Sequence, residues 1–220
     1  MALAQTGCAV LAMELDRALL PALGEVVGER ANVRIAEADA TSADWSSLLE
    51  VAPWSVVANL PYNVSVPLVL RFLERVPSVE RLVVMVQREV AVRFLAAAGS
   101  EGYGPVSIRV ALLADAEAVR RVPREVFWPR PNVDSTVIRL TRPPPRSDVD
   151  HEALFRLVDE AFGERRKTIA NALRRLGLDA ATASRVARVA EVDPAARPED
   201  IAPEEFVRMA SAALGEGWRP

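Results

Sequence analysis

Thiol and imidazole chemistry have almost nothing to work with in this sequence, which holds one cysteine, Cys8, and one histidine, His151. A single thiol excludes an internal disulfide, and no Cys/His set has zinc spacing, so a reducing compartment and metal-free chemistry are expected. Apolar runs of membrane length are missing, and residues 1–10 lack a basic n-region, a long apolar h-region and an A-x-A cleavage site. A soluble, untargeted, cytoplasmic protein is therefore expected. Neither charge is in large excess: 27 Lys and Arg stand against 30 Asp and Glu, a formal net charge of −3. The whole-molecule field gives no reason to expect a polyanion, so any nucleic-acid surface has to be a local patch. No internal repeat, low-complexity tract or glycine-rich loop before Asn59 is present.

What is present suffices for a folded core: 220 residues, half of them hydrophobic, can hold one medium domain and a small one. Over the first two-thirds, short Val- and Ala-rich runs alternate with amphipathic segments. We expect strands at 9–15, 33–39, 55–60 and 81–87, with covering helices at 16–27, 43–50 and 67–75. That alternation predicts an α/β fold with a doubly wound, mostly parallel sheet, whose ligands sit at the carboxyl ends of the strands. Glu14, Asp39 and Asn59 close three of those runs. A helix is expected at 88–98, a Gly-rich break at 99–104, an apolar stretch at 106–113 whose period does not separate helix from strand, and a final strand at 134–140. The segment 141–150, TRPPPRSDVD, has linker composition. We divide the chain into a domain at 1–142, a linker at 143–150 and a small all-α domain at 151–220. Its helices are expected at 151–162, 165–176, 179–191 and 203–214, with Asp150 as an N-cap and Gly177 as a stop.

Asn59-Leu60-Pro61-Tyr62, directly after a predicted strand, is the most informative tetrapeptide. It suits methylation of an exocyclic amine on a planar base. The N6 lone pair of adenine is delocalised into the ring and is a poor nucleophile until that nitrogen is bent toward tetrahedral geometry. The Asn59 side-chain oxygen and the Leu60 main-chain carbonyl can each accept one N6–H, with Pro61 fixing the backbone that aims them. Tyr62 offers a flat face on which an extruded base can stack, worth roughly 1–3 kcal/mol. An ordinary turn is the competing reading, since Asn, Pro and Tyr are common turn residues.

The run 127–135, FWPRPNVDS, sets Phe127 where it can close the opposite face of the base; a rigid loop with its aromatics packed inward is the alternative. Glu14 stands where an acid meets ribose hydroxyls in such sheets, and Asp39 where one can accept from an adenine amine, although each can also serve as a cap or loop residue. Two basic windows supply phosphate contacts. From Arg120 to Arg146 seven arginines face Glu125 and Asp134 (7 − 2 = +5), and from Glu164 to Arg175 five cations face Glu164 (5 − 1 = +4). Arg120, Arg121, Arg124, Arg130, Arg165, Arg166 and Lys167 are the candidate RNA contacts; a solvated charged face is the bland reading.

Read together, MELDR (13–17), EADA (37–40), NLPYNVSVPL (59–68), VQREVAVRF (86–94), GYGPVSI (102–108), FWPRPNVDSTVIRL (127–140), FGERRKTIANAL (162–173) and VDPAARPEDI (192–201) resemble the small-subunit (16S) ribosomal RNA adenine-N6,N6 dimethyltransferases, the KsgA type. NLPYN, FxPxPxVDS and RRKTIxNxL are specific in combination, and the third favours this family over relatives acting on large-subunit RNA. The resemblance implies a Rossmann-like class I methyltransferase sheet and a helical rRNA-binding tail. It also implies transfer of two methyl groups from S-adenosylmethionine to N6 of each of two adjacent adenosines in a hairpin loop near the rRNA 3′ end. By the same likeness Glu14 would hold the donor's ribose, Asp39 with Ala40 its adenine, and Asn59 both donor and target amine. Tyr62 and Phe127 would hold the target base. The partner would be small-subunit rRNA or a 30S precursor, with no membrane and no metal, and the chain is expected to act as a monomer by direct in-line transfer.

The resemblance also sets an expectation of shortening. Members of the family carry, ahead of the position of Thr6-Gly7, a first strand and a G-x-G-x-G loop whose amides approach the donor's methionine part. In their sheet that strand lies between the strands ending at Glu14 and Asn59. A chain without it is expected to leave two strand edges unpaired and to bind the donor weakly, because buried unpaired backbone groups each cost roughly 1–3 kcal/mol. A non-catalytic assembly factor docking through its basic tail, and an adenine-N6 methyltransferase acting on another RNA or on DNA, stay open as alternatives.

Overall fold

Proline placement and side-chain caps set where the helices begin. In the computed structural model, which describes residues 2–49, 53–144, 150–164 and 167–220, the chain divides into two compact units, Met1–Glu50 and Val51–Pro220.

The first unit holds α1 (Ala2–Gln5), β1 (Val10–Glu14), α2 (Leu20–Val27), β2 (Val33–Glu37) and α3 (Trp45–Leu48). Strands β1 and β2 pair in parallel, with Val10 opposite Val33 and Glu14 opposite Glu37. A helix was expected from 16, yet α2 begins at Leu20. Pro21 lies in its first turn, where a missing N–H is harmless, and the Asp16 carboxylate instead accepts from the Ala18 amide at 2.9 Å. The short α3 starts on a side-chain cap, Asp44 accepting from the Ser46 and Ser47 amides.

The second unit runs β3 (Trp54–Asn59), α4 (Ser65–Arg75), β4 (Val79–Gln87), α5 (Arg88–Leu95), α6 (Pro105–Leu113), β5 (Asp115–Val122), β6 (Ser135–Thr141), α7 (His151–Gly163), α8 (Ile169–Arg175), α9 (Ala180–Val189) and α10 (Pro203–Gly215). Its sheet has the order β3-β4-β6-β5. The β3–β4 pair is parallel, whereas β6 runs antiparallel to both β4 and β5. The α/β class is thus as expected, and the sheet is more mixed than the alternation predicted because β5 was not foreseen. Strand β5 (DAEAVRRV) is an edge strand with charges at Asp115, Glu117, Arg120 and Arg121, a composition that suits an edge and hides the apolar alternation of a buried strand. Among the described residues β1 pairs only with β2 and β3 only with β4.

Val79, Leu82, Val84 and Val86 give β4 a fully buried face. Leu68, Val69, Phe72 and Leu73 of α4 and Val90, Ala91 and Phe94 of α5 are buried as well. The ambiguous stretch 106–113 is helix α6, opened by Pro105. There the buried Ser107 hydroxyl accepts from the Gly104 amide at 3.1 Å and donates to the Arg93 carbonyl at 2.6 Å.

The tail helices α7, α9 and α10 begin at or within one residue of the expected starts, whereas α8 begins at Ile169 and not at 165, and residues 165 and 166 lie outside the described residues. Asp150 accepts from the Glu152 and Ala153 amides to open α7, and Gly177, at φ 101°, lets the chain turn away after α8. Helix α9 opens on the Asp179 carboxylate. Leu154, Leu157, Ile169, Leu173, Phe206 and Met209 form a core that includes Ile108 of α6, so the tail packs directly on the sheet-bearing part of its unit. Arg109 of α6 joins three helices. It donates to Glu74 of α4 at 3.1 Å and to both carboxylate oxygens of Asp159 on α7 at 2.8 Å. Its guanidinium also lies 4.7 Å from the centre of the Phe155 ring. Most of the expected linker, 145–149, lies outside the described residues. No helix among the described residues is long and apolar enough to cross a membrane.

Phe206 is fully buried in the tail core. Replacing it with alanine should lower unfolding stability by about 3–5 kcal/mol, read by urea denaturation; a loss below about 1 kcal/mol would contradict a close-packed tail.

Candidate active site

At the end of β3 the Leu60 side chain turns inward and is buried, and its amide donates to the Met85 carbonyl of β4 at 3.2 Å. Asn59 is exposed. Among the described residues neither the Asn59 carboxamide nor the Leu60 carbonyl is engaged by another protein group. The Pro61 carbonyl accepts from the Val64 amide at 3.2 Å, and the Tyr62 carbonyl accepts from the hydroxyl of buried Ser65, also at 3.2 Å. The tetrapeptide is therefore a turn as well as a candidate site. The turn presents two free acceptors while keeping its own backbone tied.

Tyr62 is 37% exposed, and its hydroxyl lies 3.4 Å from that of Ser135, the buried first residue of β6. This contact brings together the two motifs singled out in the sequence, NLPY and the 127–135 run. The run is pinned at its far end by Asp134, whose carboxylate accepts from Arg121 at 2.6 and 3.2 Å and from the Arg124 amide at 3.1 Å. Those donors, Arg121 foremost, hold the Asp134 carboxyl below the usual range. The Asp134 carbonyl accepts from the Arg88 amide at 3.0 Å, and Arg124 donates to the Asn132 carbonyl at 3.2 Å. Phe127 is half-buried, neither packed fully inward nor free, and Trp128, joined to Pro129 by a cis peptide bond, is 97% exposed.

In the first unit Glu14 and Asp39 come to the same end of the β1–β2 pair. The Glu14 carboxylate accepts from the Leu15 and Asp16 amides at 2.8 Å through a single oxygen. Asp39, two residues past β2, accepts through one oxygen from the Thr41 amide at 2.8 Å and hydroxyl at 2.7 Å, and these bonds lower its pKa. Each acid keeps its second oxygen clear of protein donors among the described residues. The Ala40 carbonyl accepts from the Trp45 indole at 3.2 Å. Two half-buried acids at adjacent strand ends fit the ribose and adenine half of a nucleoside donor. An amide cradle for a methionine half is not found among the described residues of the unit.

An open cavity of about 720 Å³ lies beside the 127–135 run, with Gln87, Arg88, Arg121, Arg124, Asn132 and Asp134 in its wall. Neither the NLPY residues nor Ser135 are part of that wall, although Gln87, the strand partner of Ser135, is. Neither Ser135 nor this cavity was anticipated from the sequence, although the VDS triplet was the available signal for the former.

The arginine surface is less free than the sequence windows suggested. Arg121 is taken by Asp134, and Arg124 and Arg130 share Glu125. Arg139 pairs with Glu117, which lies outside the window, and Arg142 donates to the carbonyls of Phe72, Val76 and Val79. Counting charge along the chain overlooked partners supplied by neighbouring strands. Arg120 is exposed on β5 with no carboxylate partner among the described residues. Exposed ion pairs are weak and can be exchanged for phosphate. In the tail Lys167 is exposed beside Arg174 and Arg175 in a second cavity of about 480 Å³, while Arg165 and Arg166 lie outside the described residues.

A family profile described as ribosomal RNA adenine dimethylase matches residues 3–213. The chain is 42% identical over 207 residues to ribosomal RNA small subunit methyltransferase A of Thermobifida fusca, covering 91% of this chain and 71% of that protein. The protein of the same name from Rubrobacter xylanophilus is 43% identical over 209 residues, covering 94% and 78%. Among solved structures, a dimethyladenosine transferase from Plasmodium falciparum superposes with a TM-score of 0.79 at 21% identity, over 96% of this chain and 83% of that one. The 23S rRNA methyltransferase ErmE gives 0.70 at 24% identity, over 93% and 81%. At those identities the structural matches speak for the fold alone, a Rossmann-like α/β fold. The sequence matches span nearly the whole chain, and the protein belongs to the ribosomal RNA adenine dimethylase family.

Proposed function

We propose that this chain dimethylates N6 of two adjacent adenosines in small-subunit rRNA, with S-adenosylmethionine as donor and a 30S precursor as partner in the cytoplasm. The observation that carries this reading is the pair of unengaged acceptors, the Asn59 carboxamide oxygen and the Leu60 carbonyl, side by side at the end of β3. Each accepts one N6–H of the target adenine. Together they draw the amine out of the ring plane and restore a lone pair on nitrogen. Pro61 fixes the turn, Tyr62 stacks on one face of the extruded base, and Phe127 closes the other. The donor, when bound, supplies an electrophilic methyl group. Glu14 accepts from its ribose hydroxyls, Asp39 beside Ala40 accepts from its adenine amine, and Asn59 borders it as well as the target. The N6 proton passes to water, so no strong base is required of the turn.

In this reading residues 1–142 are the methyltransferase domain, 143–150 the linker and 151–220 the rRNA-docking helices. Arg120, Arg121, Arg124 and Arg130 contact phosphate near the target, and Arg165, Arg166 and Lys167 do so from the tail.

The roles separate kinetically. With small subunits from an unmethylated strain and labelled donor, Asn59→Ala should reduce turnover roughly 100- to 1,000-fold and weaken donor affinity far less. Glu14→Ala should weaken donor binding roughly 10- to 100-fold by calorimetry, the loss of a charge-assisted hydrogen bond. The reverse pattern would sink the role assignment.

A further inference from the structure

We propose that Trp128 is the stacking platform for the nucleotide that neighbours the target adenosine. Trp128 has this role only if the substrate is RNA, as proposed above.

An indole that is 97% exposed forgoes the large apolar burial that aromatic side chains offer. The loop that carries it is nevertheless fixed on both limbs. Asp134 accepts from Arg121 and from the Arg124 amide, Arg124 donates to the Asn132 carbonyl, and Arg130 pairs with Glu125. Trp128 is thus held out in water by a tied loop, which spares a ligand the cost of ordering it.

Its neighbour gives the direction. Phe127 has φ −103° and ψ 149°, an extended conformation in which successive side chains leave on opposite sides of the chain. Phe127 is half-buried and Trp128 points away from it. Two bases joined by one phosphodiester can then be splayed apart, the target against Phe127 and its neighbour against Trp128. Stacking on aromatics is how unpaired bases of RNA loops are commonly gripped. Arg124 and Arg130 stand on the same loop, and their only carboxylate partner among the described residues is the shared, exposed Glu125. Each guanidinium has N–H donors beyond those that tie the loop, so both can also meet the phosphate between the two bases.

The cavity of about 720 Å³ lies beside this loop, without Phe127 or Trp128 in its wall. Its wall carries the carboxamides of Gln87 and Asn132, while Arg121 is already neutralised by Asp134 and Glu89 by Arg93.

The test uses the whole chain and a synthetic RNA hairpin whose loop holds two adjacent adenosines, one replaced by 2-aminopurine. Wild-type protein should bind the hairpin and change the 2-aminopurine emission. Trp128→Ala should weaken binding roughly 5- to 100-fold and abolish the emission change, with an unaltered melting temperature. Trp128→Phe should keep most of both. If wild type binds and Trp128→Ala matches it in affinity and emission, the platform is refuted while the rRNA reading stands. A loss of self-association in Trp128→Ala with unchanged RNA binding assigns the indole to a protein contact and also refutes it. Wild type that ignores the hairpin yet methylates small subunits from an unmethylated strain refutes the platform alone, and wild type that does neither overturns the rRNA reading as well.

Discussion

The bond from the Leu60 amide to the Met85 carbonyl, made while the Leu60 side chain is buried, constrains everything at the sheet's end. It spends the donor side of that peptide on β4 and leaves the acceptor side unspent. Alternation along an extended chain then turns Asn59 outward as Leu60 turns inward. Pro61 and the Ser65 hydroxyl hold the rest of the turn, so the Leu60 carbonyl stays in place without a ligand to organise it. Preorganised dipoles of this kind are most effective when nothing has to reorient during reaction.

Tyr62 is supported differently. Its ring is tethered at the hydroxyl by Ser135, whose place is set by β6 pairing with Gln87 on one side and Val122 on the other. The Tyr62 ring therefore inherits its position from strands distant in sequence. Arg121 of β5 and Asp134, the residue just before β6, pin the loop with Phe127 and Trp128.

Local chemistry was legible where it was self-contained. Asp150 reads as a cap and is one, Gly177 reads as a stop and has the positive φ that a stop needs, and NLPY at a strand end pointed to a turn with free acceptors. Features that depend on partners remote in sequence were not legible. Strand β5 reads as charged because it is an edge, and the arginine-rich window looked free because Glu117 and the α4 carbonyls, which answer Arg139 and Arg142, lie elsewhere in the chain. Pro21 was visible, but its power to delay α2 to Leu20 depends on Asp16 closing the preceding turn. Ser135 carried no signal of its own beyond the VDS triplet, since its importance is conferred by the Tyr62 hydroxyl.

Arg109 ties α4, which starts three residues after Tyr62, to α7 of the tail through Glu74 and Asp159. Helices joined by a forked guanidinium and a shared core move as one piece, so the span between tail and turn is set like the jaws of a fixed-gauge caliper. A polynucleotide gripped at both places must present its two contact points at that one spacing. A folded rRNA meets such a requirement through its own tertiary shape, whereas a loose strand would have to surrender chain entropy to do so. Substrate selection can thus reside in a distance and need not rely on the reading of bases.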